Sequence, residues 1–179
     1  YLNEIIYYIG KAYIFSWGSI KESLLFNGNH VSDLSDFDKY LNIHKYKFTN
    51  ERHDLGGYSI LKNKNIIIAM DNGSTPDKYY SDDFQSGPLS FEAIYKGNKI
   101  ICNSGYFQNQ NHKLNNISRS TAAHSTLILN NKSASTFKKK NKKTILDSGF
   151  KSLNKNIVYE KNFWSIKGSH NGYLKKFGT

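Results

Sequence analysis

Residues 89–102 read LSFEAIYKGNKIIC and carry the clearest local signal for the fold class. Two segments rich in aromatic and β-branched residues, 89–95 and 99–102, flank the triplet KGN at 96–98. Segments of this kind, joined by a short connection that contains glycine, are typical of a β-hairpin. The stretch therefore predicts two adjacent antiparallel strands.

On both sides of this hairpin the chain continues with short apolar runs separated by turn residues. We predict further strands at 57–61, 65–70, 120–129, 144–146, 156–160 and 163–167. The lysine-rich run 138–143 is predicted to be a solvated loop or a hairpin tip, because crowded like charges resist burial. Short strands with frequent turn signals favour a mainly β fold, an antiparallel β-sandwich, over an α/β sheet.

The beginning of the chain has a helical period instead. Apolar residues within residues 1–25 recur at spacings of three and four, which predicts a helix, and residues 33–40 form a second candidate helical piece. This helix has no obvious helical partner later in the chain. We therefore expect residues 1–50 to be the end of an upstream helical domain with its connecting loop, and residues 51–179 to be the sandwich.

The charge balance is strongly basic, with a formal net charge of +11 over 179 residues. Such a balance favours an acidic partner: nucleic acid, anionic lipid or a uronic-acid polymer. A coding bias towards Lys, Asn, Ile and Tyr would produce the same balance without a selected site. Only Arg52 and Arg119 are arginines, and bidentate readout of phosphates and bases prefers Arg, so we expect no nucleic-acid partner.

Other features of the composition carry less information. The lone Cys102 excludes an internal disulfide framework. Residues 5–17 are too short and too polar to span a bilayer, and we expect no transmembrane segment. No signal peptide is visible, and both ends of the chain look cut, so we expect a fragment of a longer protein.

Several short motifs follow one another in a specific order. They are LFNG at 25–28, DNG at 71–73, GPLSFE at 87–92, CNSGY at 102–106, RSTAAHST at 119–126 and GSHNGY at 168–173. Their order and spacing resemble the heparinase II/III-like family, and the octapeptide at 119–126 is the most specific of them. The resemblance covers roughly residues 20–179.

The resemblance implies an incomplete α/α toroid followed by a large antiparallel β-sandwich of the supersandwich type. Residues 1–50 would then be the last helices of the toroid, and residues 51–179 a sandwich truncated at its C-terminus. The family's lyases cleave uronic-acid-containing polysaccharides by β-elimination. The resemblance thus implies an acidic polysaccharide as substrate, a bacterial periplasmic or cell-envelope location, and packing of the sandwich on its own helical domain.

β-Elimination has demanding requirements, because the C5 proton of a uronate is a very poor acid. The site must neutralise the neighbouring carboxylate and stabilise the enolate-like charge, and a base and an acid must move protons. In the family, the toroid supplies a Tyr and an Asn or His for these steps. Those positions would lie upstream of this chain, so we expect the fragment alone to be inactive.

The sandwich of the family contributes a catalytic His and, in some members, a zinc site. Alignment on the LSFE motif puts Asp83 at the position of the catalytic His. It puts Gln85 at the metal-binding His, Gly87 at the following Asp and Asn103 at the acid of the turn, and only His124 keeps its identity. Zinc prefers imidazole, thiolate and carboxylate ligands, so we expect no zinc and no other cofactor.

Four residues are our candidates for a functional site. We predict Asp83 and His124 as catalytic groups, with Arg119 as a clamp on a substrate carboxylate and Tyr106 as a ring that stacks on sugar. Three of them also have an ordinary structural explanation: His124 as a core histidine, Arg119 as a loop-capping arginine and Tyr106 as a packed tyrosine. A further possibility is a hydrogen-bonded cluster of Gln85, Asn103 and His124 in place of the metal.

Three functions of different classes remain open at this point. The leading one is a polysaccharide lyase acting on an acidic glycan. The second is a non-catalytic sandwich that binds glycan or packs against its helical domain, which the altered metal positions favour. The third, a basic nucleic-acid binder, depends on charge alone.

Overall fold

The computed structural model describes Phe26, Lys39 and residues 42–45, 53–63, 65–141 and 143–178. The helix predicted at 1–25 lies outside these residues, and so does the piece predicted at 33–40 apart from Lys39. The division into a helical part and a sandwich at about residue 50 therefore stays a prediction. Within the described residues, no helix is long and apolar enough to cross a bilayer.

The largest sheet has five antiparallel strands in sequential order. Their bounds are β1 Asp54–Leu55, β2 Tyr58–Lys62, β3 Ile66–Asp71, β4 Phe91–Tyr95 and β5 Asn98–Ile101. The predicted hairpin is confirmed: Tyr95 pairs with Asn98, so Lys96 and Gly97 form a two-residue turn. Both have positive φ, 46° and 83°, which is the backbone of a type I′ turn and matches the twist of the strands.

Two hairpins complete the β structure. Their strands are β6 Thr136–Lys140 with β7 Lys143–Ser148, and β8 Ser152–Tyr159 with β9 Trp164–His170. The lysine-rich run 138–143 forms the tip of the β6–β7 hairpin, which is one of the two predicted alternatives. Its first and last lysines belong to the strands themselves. Together with the large sheet these hairpins form a mainly antiparallel β-sandwich fold, as the sequence predicts.

The β8–β9 hairpin is attached to the edge of the five-stranded sheet by side-chain contacts. The Tyr159 hydroxyl donates a hydrogen bond to the carbonyl of Lys62 at 2.9 Å, and its ring lies 4.2 Å from that of His53. Lys155 forms an ion pair with Asp54 at 2.5 Å. These contacts join segments about one hundred residues apart in the chain.

Within the described residues 53–178, three short helices lie between strands and a fourth follows β9. They are the 3₁₀ helices η1 Lys78–Tyr80 and η2 Thr121–Ala123, and the α-helices α1 Lys113–Ser118 and α2 Leu174–Phe177. The strand predicted at 120–129 is wrong: η2 begins this segment, and only Leu129 forms a β-bridge, to Lys132. The physical reason is that its backbone and hydroxyl groups bond to distant loops, which local alternation cannot reveal.

The apolar core has two parts. The first lies against the five-stranded sheet and consists of Phe26, Tyr58, Ala69 and Ile94, from β2, β3 and β4 and the chain before them. The second lies under the β6–β7 hairpin and consists of Phe84, Ala134, Leu146, Phe150 and Tyr173. The loops that carry the family motifs run between these two parts.

Candidate active site

The octapeptide at 119–126 is held by hydrogen bonds from several loops. The Thr121 hydroxyl donates to the carbonyl of Ser86 at 2.7 Å and accepts from the amide of Ala134 at 2.9 Å. The Ser86 hydroxyl in turn lies 2.9 Å from that of Thr121 and accepts from the amide of Ser135 at 2.8 Å. Buried hydroxyls with this many partners fix the backbone, so the path of the segment is defined before any ligand arrives.

Asn103 joins this segment to the LSFE hairpin. Its Oδ1 accepts a hydrogen bond from the amide of Ser125 at 3.2 Å, and its Nδ2 donates to Oε1 of Glu92 at 3.1 Å. The Ser125 hydroxyl donates to the carbonyl of Phe91 on β4. The octapeptide and the LSFE hairpin therefore meet at Asn103, but not through the predicted hydrogen-bonded cluster with His124, whose Nε2 has no partner among the described residues.

His124 lies inside the protein against Gly87. A Cβ atom added at Gly87 would approach the imidazole Cγ to 3.0 Å, so the ring occupies the space that a side chain at this position would need. Its Nε2 is buried and has no hydrogen-bond partner among the described residues. Burial lowers the pKa of His124 to about 4, although a hydrogen bond with the backbone of Ser118 opposes the shift. The imidazole is therefore neutral at physiological pH.

The residues at the family's metal positions do not fit zinc. His124 is the one imidazole of the set, and Oδ1 of Asn103 already accepts a hydrogen bond from the Ser125 amide. Across the part of the chain that the structure describes, no three His, Cys, Asp or Glu side chains come together as a metal site would require. Gln85 and Asn103 are amides and Gly87 has no side chain, so the three positions offer zinc no imidazole, thiolate or carboxylate ligand.

Arg119 is fully buried, and its guanidinium joins the segment that follows η1 to strand β7. It donates to the carbonyls of Phe84, Thr144 and Ser81 at 2.9, 2.8 and 2.6 Å. The Phe137 ring covers one face of the guanidinium at 4.2 Å. The geometry does not support the predicted clamp on a substrate carboxylate, because the donors point at backbone carbonyls inside the protein. The guanidinium instead organises the loops around the motif.

Asp83 and Tyr106 lie at the surface above Arg119. Asp83 is exposed, whereas Tyr106 is half-buried and donates a hydrogen bond to the carbonyl of Asp82 at 3.4 Å. Burial lowers the pKa of Arg119, while Tyr106, Asp83 and Asp82 oppose that shift through their charges. The buried guanidinium of Arg119 is therefore within electrostatic reach of Asp83 and Tyr106. We call Asp83 and Tyr106 the rim.

Sequence reasoning missed two of the residues that link the octapeptide to the sheet. Glu92 is buried on β4 and accepts from Asn103, and Ser125 bonds to both Asn103 and β4. A signal for Glu92 was available in the sequence. Side chains alternate between the two faces of β4, and Glu92 lies on the buried face, where a carboxylate requires a hydrogen-bond donor from a neighbouring strand or turn. The role of Ser125 depends on distant contacts and has no local signature.

Comparisons with known proteins agree with this geometry. The family model described as "Heparinase II/III-like, C-terminal" matches residues 50–179. The structure is similar to a crystal structure of a heparan sulfate lyase HepC mutant from Pedobacter heparinus, with a TM-score of 0.64 and 16% identity over 94% of this chain. A crystal structure of Heparinase III is similar over 86% of this chain, with a TM-score of 0.48 and 16% identity.

Each of these structures is much longer than the chain described here, which spans 28% of either one. At 16% identity the likeness to the heparan sulfate lyase structure shows the fold alone. None of the curated proteins compared with the chain matches it significantly. The family model covers most of the chain, including every motif from the sheet to β9, and this chain therefore belongs to the heparinase II/III-like family through its C-terminal domain.

Proposed function

We propose that the full-length protein to which this chain belongs is a polysaccharide lyase that cleaves an acidic, uronic-acid-containing glycan by β-elimination. The observation that carries this proposal is the contact of Ser125 with the LSFE hairpin: its hydroxyl donates a hydrogen bond to the carbonyl of Phe91, and its amide donates to Asn103 after β5. Membership of the family supports the reaction class. In this proposal the protein acts in the periplasm or cell envelope, where such polymers are accessible.

The rim is the part of this chain that would contact substrate. Asp83 is exposed, and alignment on the LSFE motif puts it where the resemblance implies a catalytic His. In the proposal its carboxylate is a base or an electrostatic group beside the reacting sugar. Tyr106 has a half-exposed ring next to it, suited to contact with a sugar face. The remaining groups for proton transfer come from the helical domain.

His124 and Arg119 act from beneath the rim in this proposal. The neutral imidazole of His124 fills the space beside Gly87 and keeps the octapeptide against the hairpin. Arg119 provides a buried positive charge near Asp83 and Tyr106, which favours an anionic substrate without touching it. Both are positioning residues, and neither needs a metal ion.

The experiment is a lyase assay of the full-length protein on a panel of uronic-acid polymers, with ultraviolet detection of the unsaturated uronate product. Asp83→Asn should lower kcat by roughly a hundredfold, the contribution typical of a general acid or base. Glu160→Gln, a change at an exposed carboxylate between β8 and β9, is the matched control. Activity that is equal in both variants removes Asp83 from the mechanism, and no product on any polymer removes the lyase proposal.

A non-catalytic sandwich is the second candidate, and one observation favours it. The positions of the family's catalytic and metal-binding His are Asp83 and Gln85, and Asn103 is committed to structural hydrogen bonds. In this case the protein would bind acidic glycan without cleaving it. Binding of a uronic-acid polymer that leaves its chain length unchanged over a long incubation would distinguish this candidate from the lyase.

A further inference from the structure

The outer face of the β6–β7 hairpin carries an unusual concentration of lysines. Phe137 pairs with Leu146 on the face that packs into the core. Side chains alternate along a strand, so the neighbouring pairs, Lys138 with Ile145 and Lys140 with Lys143, project from the opposite face. The strand register therefore places these lysines on one face of the hairpin, and the position of the charge does not depend on a flexible loop.

This face and the 3₁₀ helix η1 form a groove of about 430 Å³. The groove lies in the size range of small-ligand sites, roughly 300–1,000 Å³. Its described lining residues include Lys78, Tyr79, Lys138, Lys140, Lys143 and Ile145. The lysines of this lining outnumber its described acidic residue, Asp82, so the groove has a clear excess of positive charge.

Two acidic side chains hold part of this face in place. Lys143 forms an ion pair with Asp82 at 2.6 Å, and Lys138 forms one with Asp147 at 2.6 Å. Lys78 and Lys140 have no ion-pair partner within the described part of the chain. Lys140 stands directly opposite Lys143 in the ladder, and like charges in that relation destabilise a hairpin. An anion bound between them would offset this repulsion.

The groove also offers an aromatic surface. The side chain of Tyr79 is 90% exposed at the groove wall, which is a costly place for a large apolar ring unless it has a partner. A flat ring beside cations suits a sugar ring that carries anionic groups, because the sugar face packs on the aromatic ring while its acidic groups meet the ammonium groups.

We propose that this groove is a binding site for an anionic oligosaccharide segment, such as a uronate or sulfated sugar, separate from the His124 site. Asp82 lines the groove and is followed in the chain by Asp83, so the groove adjoins the rim. Polymer bound along the hairpin would extend towards the rim. The binding site does not require that the protein be a lyase, since its geometry is independent of the catalytic residues.

The test is calorimetric titration of the full-length protein with a heparin hexasaccharide and with an oligogalacturonate of the same length. The double variant Lys78→Gln/Lys140→Gln should bind roughly fivefold more weakly, the sum of two exposed charge contacts. The control Lys113→Gln/Lys151→Gln removes two exposed lysines elsewhere and should bind as the unmodified protein does. Equal losses in both double variants would overturn the proposal, because they would show a response to net charge alone.

Tyr79→Ala tests the aromatic contact, with Phe163→Ala, another exposed ring, as its control. We expect weaker oligosaccharide binding in the first variant and unchanged binding in the second; the reverse pattern contradicts the aromatic part of the proposal. A short DNA duplex serves as the competing polyanion. If the duplex binds more tightly than both oligosaccharides and loses affinity only in the groove variants, the groove is a nucleic-acid site and the proposal fails. Absence of binding to either oligosaccharide also overturns it.

Discussion

The amide of Ser125 donates a hydrogen bond to Oδ1 of Asn103 across 3.2 Å, and this bond connects the octapeptide to the turn after β5. The same Asn103 donates to Glu92 on β4. One amide side chain thus connects three segments: the turn after β5, strand β4 and the octapeptide. The following predictions depend on this arrangement and on the buried groups around it.

Asn103→Ala should lower the free energy of unfolding by about 2–3 kcal/mol, because it removes the side-chain donor to the buried Glu92 carboxylate and the acceptor of the Ser125 amide. Urea denaturation followed by fluorescence measures the change. Asn154→Ala, which removes an exposed hydrogen bond to Ser169, should cost much less. Equal stability of the two variants would show that Asn103 is not a structural link.

Arg119→Lys should lower the free energy of unfolding by about 3 kcal/mol although it keeps the charge. A lysine has one ammonium group and cannot reach the carbonyls of Phe84, Thr144 and Ser81 together, so buried acceptors lose their donors. Thermal unfolding checks this, with Lys151→Ala as an exposed control. If the Arg119→Lys protein is as stable as the unmodified protein but has a higher KM for substrate, Arg119 instead binds a substrate carboxylate.

Stability should fall as the pH drops from about 6.5 towards 4. The pKa of His124 is about 4 in the folded protein and near 6.5 in the unfolded chain, so in this window the unfolded state binds more protons. The contribution of His124 is fully present above pH 6.5 and is lost progressively below it, on the order of 3 kcal/mol in total.

The measurement is urea denaturation at several pH values on the unmodified protein and on His124→Gln. The variant should have a flatter profile between pH 6.5 and 4, although some slope remains because burial also lowers the pKa of His170. His112→Gln, a change at an exposed histidine, is the control. Identical slopes in the unmodified protein and in His124→Gln would contradict the assignment.

The purified full-length protein should contain no stoichiometric zinc at the sandwich site, and a chelator should leave its thermal midpoint unchanged. The reason is the donor set: Gln85 and Asn103 are amides, and His124 is the one imidazole. Elemental analysis and a melting curve with and without chelator test this. One zinc per chain, lost together with stability on chelation, would refute it.

The sequence predicted the sheet well where the signal is local. The strands at 57–61 and 65–70 correspond to β2 and β3, and the hairpin turn at Lys96 and Gly97 is confirmed. Alternation and turn chemistry act between near neighbours, so they are visible in a short window. The same reasoning failed at 120–129, where hydroxyl and amide groups from distant loops satisfy the backbone.

The candidate site was predictable only in its position. The motif order indicated that Asn103 and His124 would meet the LSFE hairpin. Asn103 bonds to Glu92 of that hairpin, whereas His124 packs against Gly87, which precedes it. The inward direction of Arg119 was not predictable, because its partners lie 25 to 38 residues away in the chain. Whether an arginine faces solvent or backbone carbonyls is decided by tertiary packing that no short window contains.

The three carbonyls bound by Arg119 also have a consequence for how the protein reaches its native state. Ser81 and Phe84 precede the arginine, whereas Thr144 follows it on β7. The guanidinium cannot be satisfied until the later hairpin has arrived, and contacts this far apart in sequence form slowly. The octapeptide should therefore be among the last segments to acquire protection from hydrogen exchange during refolding, well after the turn at Gly97.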